Sequence, residues 1–332
     1  MKETIRQLTE AFGPSGYETE VTSLIKTMIT DFVDEIKTDV LGNLIAIKKG
    51  ASNGHKIMFA AHTDEIGVVV THIDKEGFLR FATVGGVGIS TLVGNRVRFP
   101  NGIIGVIYHE KADWKDLKID KLYIDIGAES KEEAMEQVKI GEFGIFHREF
   151  CDLGNRLIAK SMDDRVGCAV LVEAIKKIKE PRNALYFVFT TQEEVGLRGA
   201  RTAAYDLEPD LGIAVDVTIT GDMPEARRME VSLGKGAAIK VKDSSLIVHP
   251  KVKQILMDLA EKNKIPYQME VLEFGGTDAG AIHLTRSGVP SGAISIPTRY
   301  VHSPSEMIDI RDVEASVDLV VALANKELNE LN

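Results

Sequence analysis

The chain has 332 residues, 44% of them hydrophobic and 27% charged, and carries a formal net charge of −10. This composition calls for one large domain or two ordinary ones around a packed core and excludes a disordered chain. With no Lys/Arg block interleaved with aromatics, no run near the ~18 apolar residues of a membrane span, and only Cys151 and Cys168 as thiols, nucleic-acid binding, membrane insertion and a disulfide framework are not expected, and a reducing, cytoplasmic setting is.

The polar N-terminus, MKETIRQLTE, reads as the start of an amphipathic helix and lacks the apolar core of a signal peptide. Residues 17–30 predict a helix. Leu44–Ile47 and Ile57–Ala61 predict buried strands, being short apolar runs bounded by polar or Gly/Pro residues. From about residue 67 to 156 the pattern changes. Alternating segments at 68–73 and 102–107, glycines at Gly85, Gly86 and Gly88, and closely spaced turn signals predict a small, mostly β domain, with a barrel as one form that suits it. The α/β pattern then resumes. A helix follows Asp164, with Val166, Ala169, Val170, Ala174, Ile175 and Ile178 at helical spacing. Strands are predicted at Leu185–Thr190, Leu211–Val215 and Ala293–Ile296, and helices over 249–263 and 310–330. The expected fold is α/β, a sheet with helices on both faces. Its domain is discontinuous, 1–66 and 157–332, around an inserted β domain over 67–156.

Ligands of open α/β sheets gather beyond the carboxyl ends of strands. His62-Thr63-Asp64 follows Ile57–Ala61, Glu193-Glu194 closely follows Leu185–Thr190, Asp216 follows Leu211–Val215, and a short loop after Ala293–Ile296 reaches His302. Asp163-Asp164 precedes a helix; Asp163 reads as its N-cap. Each group alone has an ordinary structural explanation, but together they bring imidazoles and carboxylates to one edge. Two histidines and three carboxylates without a thiolate suit zinc, cobalt or manganese, and five ligands suit two ions sharing a carboxylate. Adjacent glutamates in extended chain leave on opposite faces, so one can ligate while the other serves as base. The same divergence argues against a glycosidase, whose carboxyl groups face each other. Asp64, two residues from His62, suits orienting the imidazole ring. Gly275-Gly276-Thr277-Asp278 either shapes a substrate pocket or forms a strand-to-helix turn capped by Asp278. Arg299 reads as a surface arginine, with binding of an acidic side chain as the alternative.

The strings His62-Thr63-Asp64-Glu65-Ile66-Gly67, Ser161-Met162-Asp163-Asp164-Arg165-Val166-Gly167, Gln192 to Ala200, and Gly275-Gly276-Thr277-Asp278-Ala279 resemble the tetrahedral aminopeptidases, metallopeptidase family forty-two, which includes glutamyl aminopeptidases. The resemblance implies a zinc-peptidase-like fold with a mixed central sheet and an inserted small β-barrel that drives dimerisation. It implies two zinc or cobalt ions, with Asp164 bridging, one ion on His62 and Asp216 and the other on Glu194 and His302. It implies Glu193 as general base, Asp64 orienting His62, short peptides as substrate, and a dodecamer of six dimers. A deacylase or carboxypeptidase-like hydrolase, an endoglucanase and a non-catalytic metal scaffold are the alternatives.

Overall fold

The computed structural model describes residues 1–51 and 54–328. In chain order the strands are β1 (Glu35–Thr38), β2 (Leu44–Lys48), β3 (Lys56–His62), β4 (Gly67–Ile73), β5 (Leu79–Val84), β6 (Arg96–Arg98), β7 (Ile104–His109), β8 (Leu122–Asp125), β9 (Phe143–Phe146), β10 (Cys151–Leu153), β11 (Arg156–Ala159), β12 (Ala184–Thr190), β13 (Leu211–Thr218), β14 (Ala237–Lys242), β15 (Tyr267–Val271), β16 (Ser291–Arg299) and β17 (Glu306–Asp309). The helices are α1 (Lys2–Glu10), α2 (Thr19–Ile29), α3 (Lys131–Gln137), α4 (Met162–Lys177), α5 (Arg198–Leu207), α6 (Pro250–Asn263), α7 (Ala279–Ile282) and α8 (Ile310–Ala324). Residues 329 and 330 of the helix expected over 310–330 lie outside the described residues.

The large sheet is mixed, ordered β1-β2-β12-β3-β13-β16-β17-β11-β10, with β14 and β15 joined alongside β16. Its centre, β12-β3-β13-β16, is parallel, which directs four carboxyl ends to one edge. Strands covered on both faces read as continuous apolar runs; all eight residues of β13 are buried. Side chains alternate across the sheet. Ile57, Phe59 and Ala61 of β3 pack with residues of α1, α2, α4, α6 and α8. Met58 and Ala60 pack on the other face with Ala200, Ala203 and Ala204 of α5 and Ile282 of α7.

Strands β4 to β9 close a barrel ordered β4-β5-β8-β7-β6-β9 with its own core. The barrel strands run from Gly67 to Phe146. The expected insert boundary at 156 would group Cys151–Leu153 with the barrel, whereas β10 pairs with β11 in the large sheet.

The first turn of α4 lies directly on the end of β13, and Gly167 makes this possible. A Cβ there would stand 2.3 Å from Asp164 Oδ1 and 2.6 Å from the Val215 carbonyl. Gly167→Ala should therefore force α4 off the sheet and destabilise the protein by roughly 1–3 kcal/mol, as overpacking does. A thermal melt within error of the parent would show that the contact yields without cost.

Candidate metal centre

His62 ends β3, Glu193 and Glu194 lie in the turn after β12, and His302 follows β16. Asp216 sits inside β13, which runs on to Thr218. Asp163 and Asp164 open α4 with non-helical dihedrals, and the peptide between them is cis. The structure gathers these groups around Asp163. Its Oδ1 lies 2.9 Å from His62 Nε2 and its Oδ2 3.3 Å from His302 Nε2. Asp216 Oδ1 and Glu193 Oε2 are each 3.9 Å from His62 Nε2, and Glu194 Oε2 is 3.4 Å from His302 Nε2.

This placement corrects one expectation and bears on a second. Asp163 is not a helix cap: its two oxygens face two different imidazoles. Asp164, expected to bridge, accepts the His62 amide on Oδ2 at 3.2 Å and the Gly167 amide on Oδ1 at 3.1 Å. Asp164 still lies near His62 and Asp216, their ligand atoms falling within 4.8 Å of one another, as do those of His62, Asp163 and Glu194. Each Asp164 oxygen accepts one backbone amide, as Asp216 Oδ1 accepts that of Val217, and between the two histidines stands Asp163.

Asp64 is fully buried. Its Oδ1 accepts the Glu193 amide at 2.9 Å, and its Oδ2 accepts the Glu194 amide at 3.1 Å and the Ser15 hydroxyl at 2.6 Å. His62 Nδ1 lies 3.1 Å from the Asp64 carbonyl and 3.5 Å from Oδ1, an arrangement that directs Nε2 toward Asp163 and Asp216. His302 has φ 61°, and its Nδ1 lies 2.8 Å from the Gly86 carbonyl in the barrel's β5–β6 loop. A Cβ on Gly86 would come within 2.7 Å of that nitrogen, so the close approach needs glycine. Buried Glu306 accepts the amides of both Asp163, at 2.9 Å, and His302, at 2.8 Å. Ser15, Gly86 and Glu306 escape sequence reasoning because only the tertiary fold brings them here.

The site is rich in negative charge. Burial pushes Asp216 up to about 8 and, with the charge of Asp163, Glu194 up to about 7. Burial and Asp216 raise Asp164 well above the usual carboxylate range, and burial raises Glu193 likewise, the His62 charge opposing. Asp163 moves the other way: burial opposes its ionisation, but hydrogen bonds from His302 and His62 hold it low. His302 is raised to about 10, burial opposing and Asp163 and Glu194 outweighing it. The buried Glu194 Oε1 has no hydrogen-bond partner. Ionised carboxylates packed this closely call for a cation. Imidazole nitrogens and carboxylate oxygens suit a borderline or hard divalent ion. The nearby Cys168 thiol donates to the His62 carbonyl and is no ligand. The residues therefore fit divalent metal.

The Gly275–Asp278 segment divides. Gly275 and Gly276 are exposed, while Thr277 and Asp278 are buried. Asp278 makes no capping bond to α7; it accepts from the Thr190 hydroxyl, and its other oxygen is unpartnered. Arg299 is held by Asp222 through contacts of 3.1 and 2.7 Å.

A model of the family described as M42 glutamyl aminopeptidase matches residues 42–319. A protein named putative aminopeptidase from Acetivibrio thermocellus is 54% identical, covering 97% of each chain. The structure of an aminopeptidase from the archaeon Desulfurococcus kamchatkensis is similar with a TM-score of 0.94 and 42% identity, covering 98% of this chain and 94% of that one. The Pyrococcus horikoshii TET1 peptidase, which can assemble into a tetrahedron or a large octahedral shell, is similar at 37% identity with a TM-score of 0.87, covering 98% and 99%.

Removing metal should make stability depend on pH in a set direction. Asp216, at about 8, and Glu194, at about 7, sit above their unfolded values near 4, so each favours the fold only while protonated. That contribution is full below about pH 4 and is lost as pH rises through about 7 to 8. His302 adds to the same trend, its contribution lost between about 6.5 and about 10. The melting temperature of chelator-stripped protein should fall from about pH 5 to about pH 9, and added zinc or cobalt should raise it most at the alkaline end. A rise over that interval in stripped protein would contradict this balance.

Proposed function

This chain belongs to the M42 glutamyl aminopeptidase family and is a metal-dependent aminopeptidase; from that premise we propose that it removes the N-terminal residue of short peptides at a dinuclear centre. One ion would be held by His62, Asp163 and Asp216, the other by Asp163, Glu194 and His302. Two zinc or cobalt ions per subunit suit these donors. The observation that most supports this reading is Asp163, whose two oxygens face two imidazoles. When bound, the ions supply Lewis acidity, polarising the scissile carbonyl and acidifying water.

Glu193 is the general base. Its carboxylate lies beside His62, and burial raises its proton affinity, which suits a base that takes a proton from the attacking water. Water oxygen bonds to the carbonyl carbon, the C–N bond breaks, and the proton held by Glu193 passes to the departing amine. Asp64 fixes the turn that carries Glu193 by accepting its amide and that of Glu194. The two glutamates diverge toward different histidines, which disfavours an endoglucanase, whose carboxyl groups act on one bond from facing positions. Gly275, Gly276, Thr277 and Asp278 shape the substrate pocket in this reading, the glycines lining its open side.

The barrel is the dimerisation unit in this reading. On β7, Ile104, Val106 and Tyr108 are exposed on one face, alternating with buried Gly105 and Ile107, and Trp114 is exposed nearby. A continuous apolar face of this kind suits subunit contact. Six such dimers closing into a dodecamer would place the sites of short-peptide cleavage within a shell. No helix among the described residues is long and apolar enough to cross a membrane. The free cysteines Cys151, exposed, and Cys168, buried, suit the reducing cytoplasm.

The test is a panel of aminoacyl chromogenic amides with free or acetylated amines, assayed before and after zinc or cobalt is returned to stripped protein. Metal-dependent cleavage of the free-amine set alone is expected; release of chromophore from the acetylated set would show that no free amine is needed, and no cleavage of either set with metal bound would point to a deacylase or a scaffold. Glu193→Gln should keep its metal and lose about 10²–10⁴-fold in turnover. Turnover within about tenfold of the parent would remove Glu193 as the base.

A further inference from the structure

The turn that carries both glutamates has an unusual backbone arrangement. The amides of three successive residues, Gln192, Glu193 and Glu194, are all captured by carboxylates from elsewhere in the chain. Asp64 takes those of Glu193 and Glu194, and Glu18 Oε1 takes that of Gln192 at 3.1 Å. Gln192 has φ 55°, a left-handed conformation that is costly for a side-chain-bearing residue and needs external support. Glu18 is buried and stands at the N-terminus of α2; its Oε1 also accepts the Gly16 amide at 2.7 Å. Buried Ser15, in the same loop, donates to Asp64 Oδ2.

The loop is itself anchored to the metal-ligand segments. The Glu65 amide donates to the Gly13 carbonyl, and Pro14 forms a bridge with Glu65. The fully buried Arg165 guanidinium donates to the carbonyls of Leu8, Gly13 and Thr63 and to Glu65 Oε1. The N-terminal loop thus arrives at the site on a rigid mount, presenting one hydroxyl to Asp64 and one carboxylate to Gln192.

We propose that Ser15 and Glu18 are positioning residues for the reaction, holding the 192–194 turn so that Glu193 and Glu194 face their separate histidines. The inference rests on Glu193 being the base. Neither residue touches substrate or metal in this account. Glu18 acts as an acceptor of two amides and Ser15 as a donor that keeps the Asp64 carboxylate aligned. Outer supports of this kind typically contribute 10–100-fold to activity.

The test compares Glu18→Ala, Glu18→Gln and Ser15→Ala in the full-length, metal-loaded protein. Glu18→Ala should lower kcat about 10–100-fold with KM within about threefold and metal content unchanged. Glu18→Gln keeps an oxygen for both amides and should stay within about threefold of the parent. Hydrogen exchange followed by mass spectrometry supplies a readout independent of turnover. Peptides covering residues 190–197 should exchange at least about tenfold faster in Glu18→Ala, with β3 and β13 unchanged. Ser15→Ala, which removes a single oxygen, should show the same pattern to a smaller degree and carries the test if Glu18→Ala does not fold. Exchange and kcat both at parental levels, a rise in KM alone, loss of metal, or Glu18→Gln as impaired as Glu18→Ala would each overturn the proposal. A parent enzyme inactive on every aminoacyl amide would refute the aminopeptidase reading, while the exchange data would still decide whether the clamp exists.

Discussion

One carboxylate between two imidazoles sets the demands on the whole chain. Asp163 meets His62 with one oxygen and His302 with the other, and these partners come from opposite ends of the sequence. His62 is delivered by the last residue of β3, and His302 by the loop beyond β16, two strands away across β13. Only a parallel sheet centre turns the carboxyl ends of β12, β3, β13 and β16 to a common edge, and only helices on both faces make such strands stable. The barrel contributes the Gly86 carbonyl that turns His302, so it is part of the site as well as a separate folding unit with its own core.

The backbone around this carboxylate is held by buried acids that accept main-chain amides. Glu306 binds the amides of Asp163 and His302, Asp164 those of His62 and Gly167, and Asp64 those of Glu193 and Glu194. Each acid ties together segments that must stay in register for the side chains to converge. Buried charge-assisted hydrogen bonds of this kind are stronger than neutral ones and geometrically demanding. They also add negative charge to a site already crowded with it. The fold therefore concentrates unfavourable electrostatics at the place where divalent cations relieve them, which is how a site comes to depend on metal.

Much of this was legible in the chain because strand ends and ligand types are local signals. The apolar run at 57–61 ends at His62, and the run at 185–190 leads into Glu193 and Glu194. Boundaries were less legible. β16 spans Ser291–Arg299 where only its apolar centre was predicted, since Ser291, Gly292, Pro297 and Thr298 do not look like strand, yet β13 pairs with most of this length. The choice between Asp163 and Asp164 was not legible at all. Two adjacent aspartates carry the same residue signal, and local dihedrals decide which one faces the histidines. Asp164 accepts the Gly167 amide at the start of the helix, a contact that no residue type announces. Ser15 and Glu18 were invisible for a different reason: their partners lie 49 and 174 residues away, and no motif spans such distances.

Anomalous diffraction from crystals loaded with zinc would locate the proposed dinuclear centre bridged by Asp163. Two peaks should flank the Asp163 carboxylate, one nearest His62 and Asp216 and the other nearest His302 and Glu194. A single peak, or two peaks sharing Asp164 in place of Asp163, would contradict it.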